Sequence, residues 1–205
     1  MAKSSKEWLR RHVTDAYVRK AKEHGYRSRA AFKLLELNQK EKFLRPGATV
    51  VDLGAAPGGW SQVAAGKVGP GGRVIAIDLL KIAPISGVTV LQADFRDEIL
   101  TKTLNGAQAD AVLSDVLPNL SGIPGVDQAR AAELTMAAVD LCRQVLKPGG
   151  VFLVKVFQGE AFDEVLSRLK HDFKKVMVIK PAASRGESAE TYVVARGLLC
   201  SAKTA

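Results

Sequence analysis

The chain contains the run Thr49-Val50-Val51-Asp52-Leu53-Gly54-Ala55-Ala56-Pro57-Gly58-Gly59-Trp60. Its first five residues are mostly apolar and β-branched, which predicts a buried strand. The glycines that follow predict a sharp turn, where the backbone comes close to a ligand before a helix begins at about Gly58. A strand, a glycine-rich turn and a helix in this order are typical of an α/β fold that binds its ligand at the strand end.

Strands and helices continue to alternate after this run. We predict strands over 73–78, 88–91, 110–115 and 151–156, helices over about 96–104, 127–146 and 160–171, and closing strands over about 175–180 and 190–196. Apolar strands separated by helices predict a mostly parallel sheet with helices on both faces. The last two strands have no helix between them and should pair antiparallel at one edge. The predicted class is therefore α/β and Rossmann-like, with seven strands.

Two helices are predicted before the sheet, over about 5–23 and 28–42, and Pro46-Gly47 marks a boundary. We therefore predict a basic extension over 1–45 and a catalytic region over 46–205. The extension contains 13 Lys+Arg and 5 Asp+Glu, a net charge of +8 out of the chain's +9. A basic segment on a nearly neutral domain predicts a polyanionic partner such as RNA, and a solvated basic helix is the alternative.

Composition argues against several other classes. No apolar run reaches the roughly 18–20 residues that cross a bilayer, and Met1-Ala2-Lys3-Ser4-Ser5-Lys6 is not followed by the apolar core of a signal peptide, so no membrane association and a cytoplasmic location are expected. Cys142 and Cys200 are expected to be reduced thiols. The three histidines have no cysteine at metal-ligand spacing, so no metal site is expected.

Two acids after the first strand indicate an adenosine pocket. The loop has the pattern G-x-x-x-G-G, which fits poorly with the G-x-G-x-x-G of a dinucleotide site. Asp78 ends the second strand, where a carboxylate accepts hydrogen bonds from ribose hydroxyls. Asp94 follows the third strand and is placed to accept from an adenine amino group. An adenosine pocket without a phosphate clamp predicts S-adenosylmethionine as the cofactor, and helix caps or turns are the alternative explanation for these acids.

Four further charged residues are candidates for chemistry. Lys155 lies inside an otherwise apolar strand, where an unpaired lysine is costly, and Asp115 ends the fourth strand. Lys33 interrupts an apolar helical stretch, and Glu190 begins the last strand. Taken singly, Lys33 is also explained as a surface lysine and Glu190 as an edge-strand charge.

The longest motifs resemble the FtsJ (RrmJ) family of 2′-O-ribose methyltransferases. The resemblance is carried by Arg27-Ser28-Arg29-Ala30, by residues 51–62, by Asp94-Phe95-Arg96-Asp97, by Pro118-Asn119-Leu120-Ser121-Gly122 and by residues 154–160. It implies a Rossmann-like methyltransferase fold and a catalytic tetrad of Lys33, Asp115, Lys155 and Glu190. It also implies cofactor contacts at Gly58, Trp60, Asp78, Asp94 and Asp115. The implied substrate is large-subunit (23S) ribosomal RNA, methylated on a uridine ribose of the A-loop.

The chemistry of such a tetrad is an in-line attack of a ribose oxygen on a sulfonium methyl group. Positioning supplies much of the rate, and removal of the hydroxyl proton helps the attack. Lys155 is the predicted base, with Lys33 as its neighbouring cation. Asp115 is expected to orient Lys155, and Glu190 to orient Lys33 or the ribose.

Other functions fit less well. A cytosine-C5 methyltransferase needs a cysteine nucleophile, and neither Cys142 nor Cys200 lies beside a strand-end motif. An amino-adenine enzyme usually carries a second proline and an aromatic residue after the fourth strand, which Asp115-Val116-Leu117-Pro118 lacks. A tRNA or mRNA-cap substrate remains open. A non-catalytic RNA-binding factor of ribosome assembly is the alternative from another class.

Overall fold

The computed structural model describes residues 15–119, 121–159, 161–184 and 188–199. The helices are α1 (Ala16–Glu23), α2 (Ala30–Glu41), α3 (Gly59–Val68), α4 (Ile99–Leu104), α5 (Pro124–Val145) and α6 (Phe162–Asp172). The strands are β1 (Thr49–Leu53), β2 (Arg73–Asp78), β3 (Val88–Gln92), β4 (Ala109–Ser114), β5 (Leu146–Phe157), β6 (Phe173–Ile179) and β7 (Glu190–Leu198). Residues 5–14 of the predicted first helix, Leu120, Glu160, residues 185–187 and Cys200 lie outside the described residues.

The strands form one sheet in the order β3-β2-β1-β4-β5-β7-β6. Strands β3, β2, β1, β4 and β5 pair in parallel, whereas β7 is antiparallel to both β5 and β6. The predicted mostly parallel sheet with an antiparallel edge is confirmed. The strand order reverses between β1 and β4, and such a reversal opens a crevice at the carboxyl ends of these strands.

The core has one main layer on each face of the sheet because side chains alternate along each strand. Val51 and Leu53 pack on one face with residues of α4, α5 and α6, and Val50 packs on the other face with residues of α2 and α3. Helices therefore cover both faces, as predicted. Leu34 of α2 is fully buried in the second layer, so α2 shares a core with the sheet.

The largest difference between a predicted and an observed boundary lies at the start of β5. The predicted helix to about 146 and strand from 151 leave residues 147–150 between them as a break, and α5 does end at Val145, but β5 begins directly at Leu146. The pairing of β4 with β5 shifts in register between Ala109 and Ala111, so the Lys147-Pro148-Gly149-Gly150 segment forms an irregularity inside the strand. A proline lacks the N–H that a regular ladder needs, and bulges are where strands accommodate it.

Candidate active site

A cavity of about 560 Å³ opens at the carboxyl ends of the central strands. Its walls come from the loop after β1, the end of β2, residues 93–96, the segment after β4 and one side of α5. The predicted acids that line it are Asp78, Asp94 and Asp115. Three predicted site residues that are far apart in sequence therefore meet at one cavity.

The glycine-rich loop forms the cavity wall because its backbone approaches the segment after β4 closely. Gly54 has a φ of +69°, and a Cβ atom there would lie 2.8 Å from the Cα of Val116. Gly58 has a φ of +109° immediately before α3. Both positions require glycine, which explains two of the glycines in the run after β1.

Asp78 joins the end of β2 to this loop. Its Oδ2 accepts a hydrogen bond from the Ala56 N–H at 2.9 Å, and its Oδ1 accepts from the Leu80 N–H at 2.8 Å. Each carboxylate oxygen accepts a second hydrogen bond readily. Asp78 is thereby oriented at the cavity with acceptor capacity left for hydroxyl groups.

Asp94 is held by its neighbour Arg96. The Asp94 Oδ1 accepts from the backbone N–H and the Nε of Arg96, both at 2.9 Å, and Oδ2 accepts from the Arg96 guanidinium. The hydrogen bond from the Arg96 side chain lowers the pKa of Asp94 below its ordinary value. Asp94 is therefore an ionised acceptor at the cavity wall.

Neither Gly58 nor the Trp60 side chain lines the cavity. The Trp60 side chain is buried, its Nε1 donates to the Ala30 carbonyl at 2.8 Å, and its ring lies 5.8 Å from the ring of Tyr192. Trp60 lies in the first turn of α3, where backbone N–H groups have no acceptor within the helix. A cofactor contact from this segment would use the backbone.

The four predicted catalytic residues converge beside this cavity. Lys155 Nζ lies 3.1 Å from Asp115 Oδ1 and donates to the Asp115 carbonyl at 2.8 Å. Lys33 Nζ, reaching from α2, forms an ion pair with Glu190. Asp115 is shared by the cavity and the cluster, since it both lines the cavity and pairs with Lys155.

Tyr192 connects the two ion pairs and was missed by the sequence analysis. Its hydroxyl donates to Asp115 Oδ1 at 3.1 Å and accepts from Lys33 Nζ at 3.3 Å. In the sheet Tyr192 lies directly opposite Lys155. The period of two along β7 places Tyr192 on the same face as Glu190, and this was the available signal.

Burial and ion pairing shift the pKa values of Tyr192 and Glu190 in opposite directions. Burial raises the pKa of Tyr192 well above its ordinary value, so the hydroxyl stays protonated and donates. Burial alone would raise the pKa of Glu190, but the hydrogen bond and charge of Lys33 outweigh it and lower the value. Glu190 is thus a carboxylate that fixes the Lys33 ammonium.

Arg27 and Gln62 connect the segment before α2 to the glycine-rich loop, to α3 and to the segment after β2. The Arg27 guanidinium donates to the carbonyls of Ala83 at 2.6 Å, Pro84 at 2.7 Å and Pro57 at 3.2 Å. The Gln62 side chain accepts from the Arg27 N–H at 2.8 Å and donates to a carbonyl in the turn between α1 and α2. These contacts position the helix that carries Lys33.

Asp52 is a buried acid beneath the site. Its Oδ2 accepts from the Ser61 hydroxyl at 2.6 Å, while its Oδ1 has no hydrogen-bond partner in the described part of the chain. Burial raises the pKa of Asp52 to about 7, against the Ser61 hydrogen bond and with help from the charges of Asp115 and Asp78.

The described residues contain no group of three or more His, Cys, Asp or Glu side chains that could hold a metal, and no helix among them could span a membrane.

The fold is that of Rossmann-like methyltransferases. A putative ribosomal RNA methyltransferase from Plasmodium falciparum has 30% sequence identity and a TM-score of 0.75, and the match covers 85% of this chain and 99% of that one. A putative rRNA-methylase from Clostridium thermocellum has 21% identity and a TM-score of 0.57, over 80% of this chain and 97% of the other. The second likeness concerns the fold alone.

Sequence comparisons identify the family of this chain. The model of the FtsJ-like methyltransferase family matches residues 26–198. Proteins named ribosomal RNA large subunit methyltransferase E are 51% identical over 195 residues in Methylobacillus flagellatus and 52% identical over 200 residues in Chromohalobacter salexigens. These matches cover 93% and 96% of this chain, and 94% and 95% of the relatives. The chain belongs to the FtsJ-like methyltransferase family, which confirms the predicted resemblance.

Proposed function

We propose that this protein transfers a methyl group from S-adenosylmethionine to the 2′-hydroxyl of a uridine ribose in large-subunit (23S) ribosomal RNA, in the A-loop, within the cytoplasm. The observation that carries the proposal is the cluster of Lys155, Asp115, Tyr192, Lys33 and Glu190, which shares Asp115 with the cofactor-sized cavity. The relatives' names support the choice of ribosomal RNA over tRNA or an mRNA cap.

The residues at the cavity fit S-adenosylmethionine. Asp78 has acceptor capacity for ribose hydroxyls, and Asp94 is an ionised acceptor suited to an adenine amino group. Asp115 would provide negative charge near a sulfonium, and backbone N–H groups at the start of α3 would accommodate a carboxylate. When bound, this cofactor supplies an electrophilic methyl group on a cationic sulfur.

The chain's own residues would position the nucleophile and remove its proton. Lys155 would take the 2′-hydroxyl proton on Nζ as the ribose oxygen forms its bond to the methyl carbon. The ammonium that pairs with Asp115 must first lose a proton to solvent, since an ammonium has no lone pair with which to accept the hydroxyl proton. Asp115 holds Nζ in place, and Glu190 and Tyr192 hold Lys33 next to the acceptor position. A cofactor held by Asp78, Asp94 and Asp115 would supply the methyl group and would keep the electrons of the carbon–sulfur bond that breaks.

The test is methyl transfer with labelled S-adenosylmethionine to ribosomal RNA from cells that lack this protein, both as free RNA and as large subunits. Nucleoside analysis should yield 2′-O-methyluridine, and a 2′-deoxy acceptor nucleotide should abolish transfer. Label on a base would contradict the proposal. Preferred transfer to tRNA or capped mRNA would favour those substrates, and cofactor binding without transfer to any RNA would favour the non-catalytic assembly factor.

The substitution Asp78→Ala should weaken S-adenosylmethionine binding by about 10–150-fold, because it removes a hydrogen bond to a charged group worth about 1.5–3 kcal/mol. Calorimetry on wild type and variant measures the change. The exposed Asp97→Ala is a matched control that should bind normally. If Asp78 binds the ribose hydroxyls, wild type should bind a cofactor analogue that lacks these hydroxyls more weakly than the cofactor itself. The Asp78→Ala variant should bind both with the same affinity. If the variant still prefers the cofactor over the analogue, Asp78 acts by holding the glycine-rich loop through Ala56 and does not bind the ribose directly.

Replacing Tyr192 with Phe should lower the methyl-transfer rate about 5–10-fold, equivalent to about 1–1.4 kcal/mol, because the two hydrogen bonds of the hydroxyl, to Asp115 and from Lys33, are lost together. The substitution removes the hydroxyl between Asp115 and Lys33 and keeps the buried ring. Single-turnover rates with saturating cofactor measure the effect. An unchanged rate would show that the two ion pairs act independently. Phe152→Leu, a buried ring outside the cluster, controls for general loss of packing.

A further inference from the structure

A second cavity lies at the opposite end of the sheet. It has a volume of about 390 Å³ and lies among the segment before β1, the start of β4, the irregular part of β5 and the end of β7. The charged residues that line it are Arg45, Lys147, Arg196 and Asp110. Asp110 and Asp115 are five residues apart on one strand path, so this cavity is about 17 Å from the catalytic end.

The sheet adds a fourth cation to this region. Lys175 of β6 is paired directly with Arg196 of β7, and side chains at paired positions point to the same face. We call Arg45, Lys147, Lys175 and Arg196 the basic edge surface. Residues 46–205 contain 17 Lys+Arg and 16 Asp+Glu, so three cations of this group come from a region that is nearly neutral.

Internal pairing leaves an excess of positive charge here. Lys147 Nζ lies 2.8 Å from Asp110, and Arg196 Nε lies 3.4 Å from Glu41. Within the described ranges, Arg45 and Lys175 have no ion pair of this kind, and both are exposed. Two exposed cations therefore stand beside two neutralised pairs, and nothing in the catalytic cluster uses them.

We infer that the basic edge surface is a second contact for the phosphate backbone of the RNA, away from the methylated nucleotide. The inference rests on the proposed function. Exposed arginine and lysine side chains are the usual partners of phosphodiester oxygens and fix the register of a nucleic acid without reading its sequence. The separation of about 17 Å means that only an RNA extending well beyond the acceptor nucleotide reaches both ends of the sheet.

The test compares two RNAs on one double variant, Arg45→Gln with Lys175→Gln. Each lost phosphate contact reduces the slope of log affinity against log salt by about 0.7–0.9. Binding to a long ribosomal RNA transcript should therefore lose about 1.4–1.8 from its slope, while a short acceptor oligonucleotide binds and is methylated as by wild type. The control Lys102→Gln removes an exposed lysine on α4, whose buried residues pack on the other face of the sheet.

Three outcomes of the slope measurements would overturn the inference. These are an unchanged slope on the long transcript, an equal change on the short oligonucleotide, and an equal change in the Lys102→Gln control. Saturable binding of inorganic phosphate by wild type that the double variant loses would indicate a free-anion site and would also overturn it. Methylation of the short oligonucleotide by wild type tests the proposed function separately, because its absence contradicts that function whatever the slopes are.

Discussion

Lys155→Ala should lower the rate of methyl transfer by about 10²–10⁴-fold, the usual contribution of a general base, and leave cofactor affinity close to wild type. Lys155 is buried on β5 and its Nζ contacts Asp115, while the residues that line the cofactor cavity do not include it. The loss should therefore affect the chemical step and not cofactor binding. Single-turnover rates and calorimetry on the same preparation measure the two quantities.

Two further variants separate a base from a positive charge. Lys155→Arg keeps a cation that does not deprotonate in proteins, so a base role predicts that this variant is as slow as Lys155→Ala. Lys155→Met keeps the apolar stem and controls for packing. Rescue by arginine would show that Lys155 acts by charge alone, and substantial turnover of the alanine variant at neutral pH would remove it from the mechanism.

The central strands were predictable because they are apolar and buried on both faces. Strands β1 and β2 have the predicted bounds, and the other predicted strands are all present with ends that differ by a few residues. The error at residues 147–150 has a physical reason. Proline and glycine usually end an element, and sequence alone does not show that a neighbouring strand will accommodate them as an irregularity.

The residues of the candidate site could be predicted where a charge lies in an apolar context or at the end of a strand. Lys155 and Asp115 are conspicuous for this reason, and the structure brings them together. Tyr192 was not identified because an aromatic residue in a strand is ordinary, and its hydroxyl matters only through contacts with distant residues. Trp60 was predicted as a cofactor contact from its motif, but its side chain does not line the cavity. A motif position does not reveal whether a side chain or a backbone N–H faces the ligand.

Core packing crosses the predicted boundary at residue 45. The RNA contact of residues 1–45 stays a prediction. Leu34 and Leu37 of α2 pack in the same buried layer as Tyr192 and Val194 of β7. Lys33 on the same helix also pairs with Glu190. Helix α2, which belongs to the positively charged residues 1–45, thus shares a core with the sheet and contributes Lys33 to the proposed catalytic cluster. An RNA held by this segment would be positioned directly against the reacting groups.

Asp52→Asn should stabilise the cofactor-free protein increasingly from about pH 4 to 7, reaching on the order of 4 kcal/mol at pH 8. The pKa of Asp52 is about 7 in the folded protein, and its ordinary value is 3.8. The folded state therefore binds more protons than the unfolded state within this window, and wild type loses stability as the pH rises. Asparagine is neutral at every pH and still offers Ser61 an acceptor oxygen, so its advantage grows as the wild-type carboxyl would ionise.

Denaturant unfolding of wild type and Asp52→Asn at pH 5 and pH 8 measures this difference, which should grow by about 2–3 kcal/mol. Asp110→Asn is the control with the opposite sign. Burial alone would raise the pKa of Asp110, but the hydrogen bonds from Lys147 and the Thr49 N–H lower it below its ordinary value. The stabilisation by the ionised Asp110 carboxylate is lost only as the pH falls through that lowered pKa. The effect of Asp110→Asn on the free energy of unfolding should therefore be constant from pH 5 to 8. If the Asp52→Asn difference is also constant, Asp52 is ionised in the folded protein throughout this range, and the buried carboxylate must have a partner that compensates for its burial.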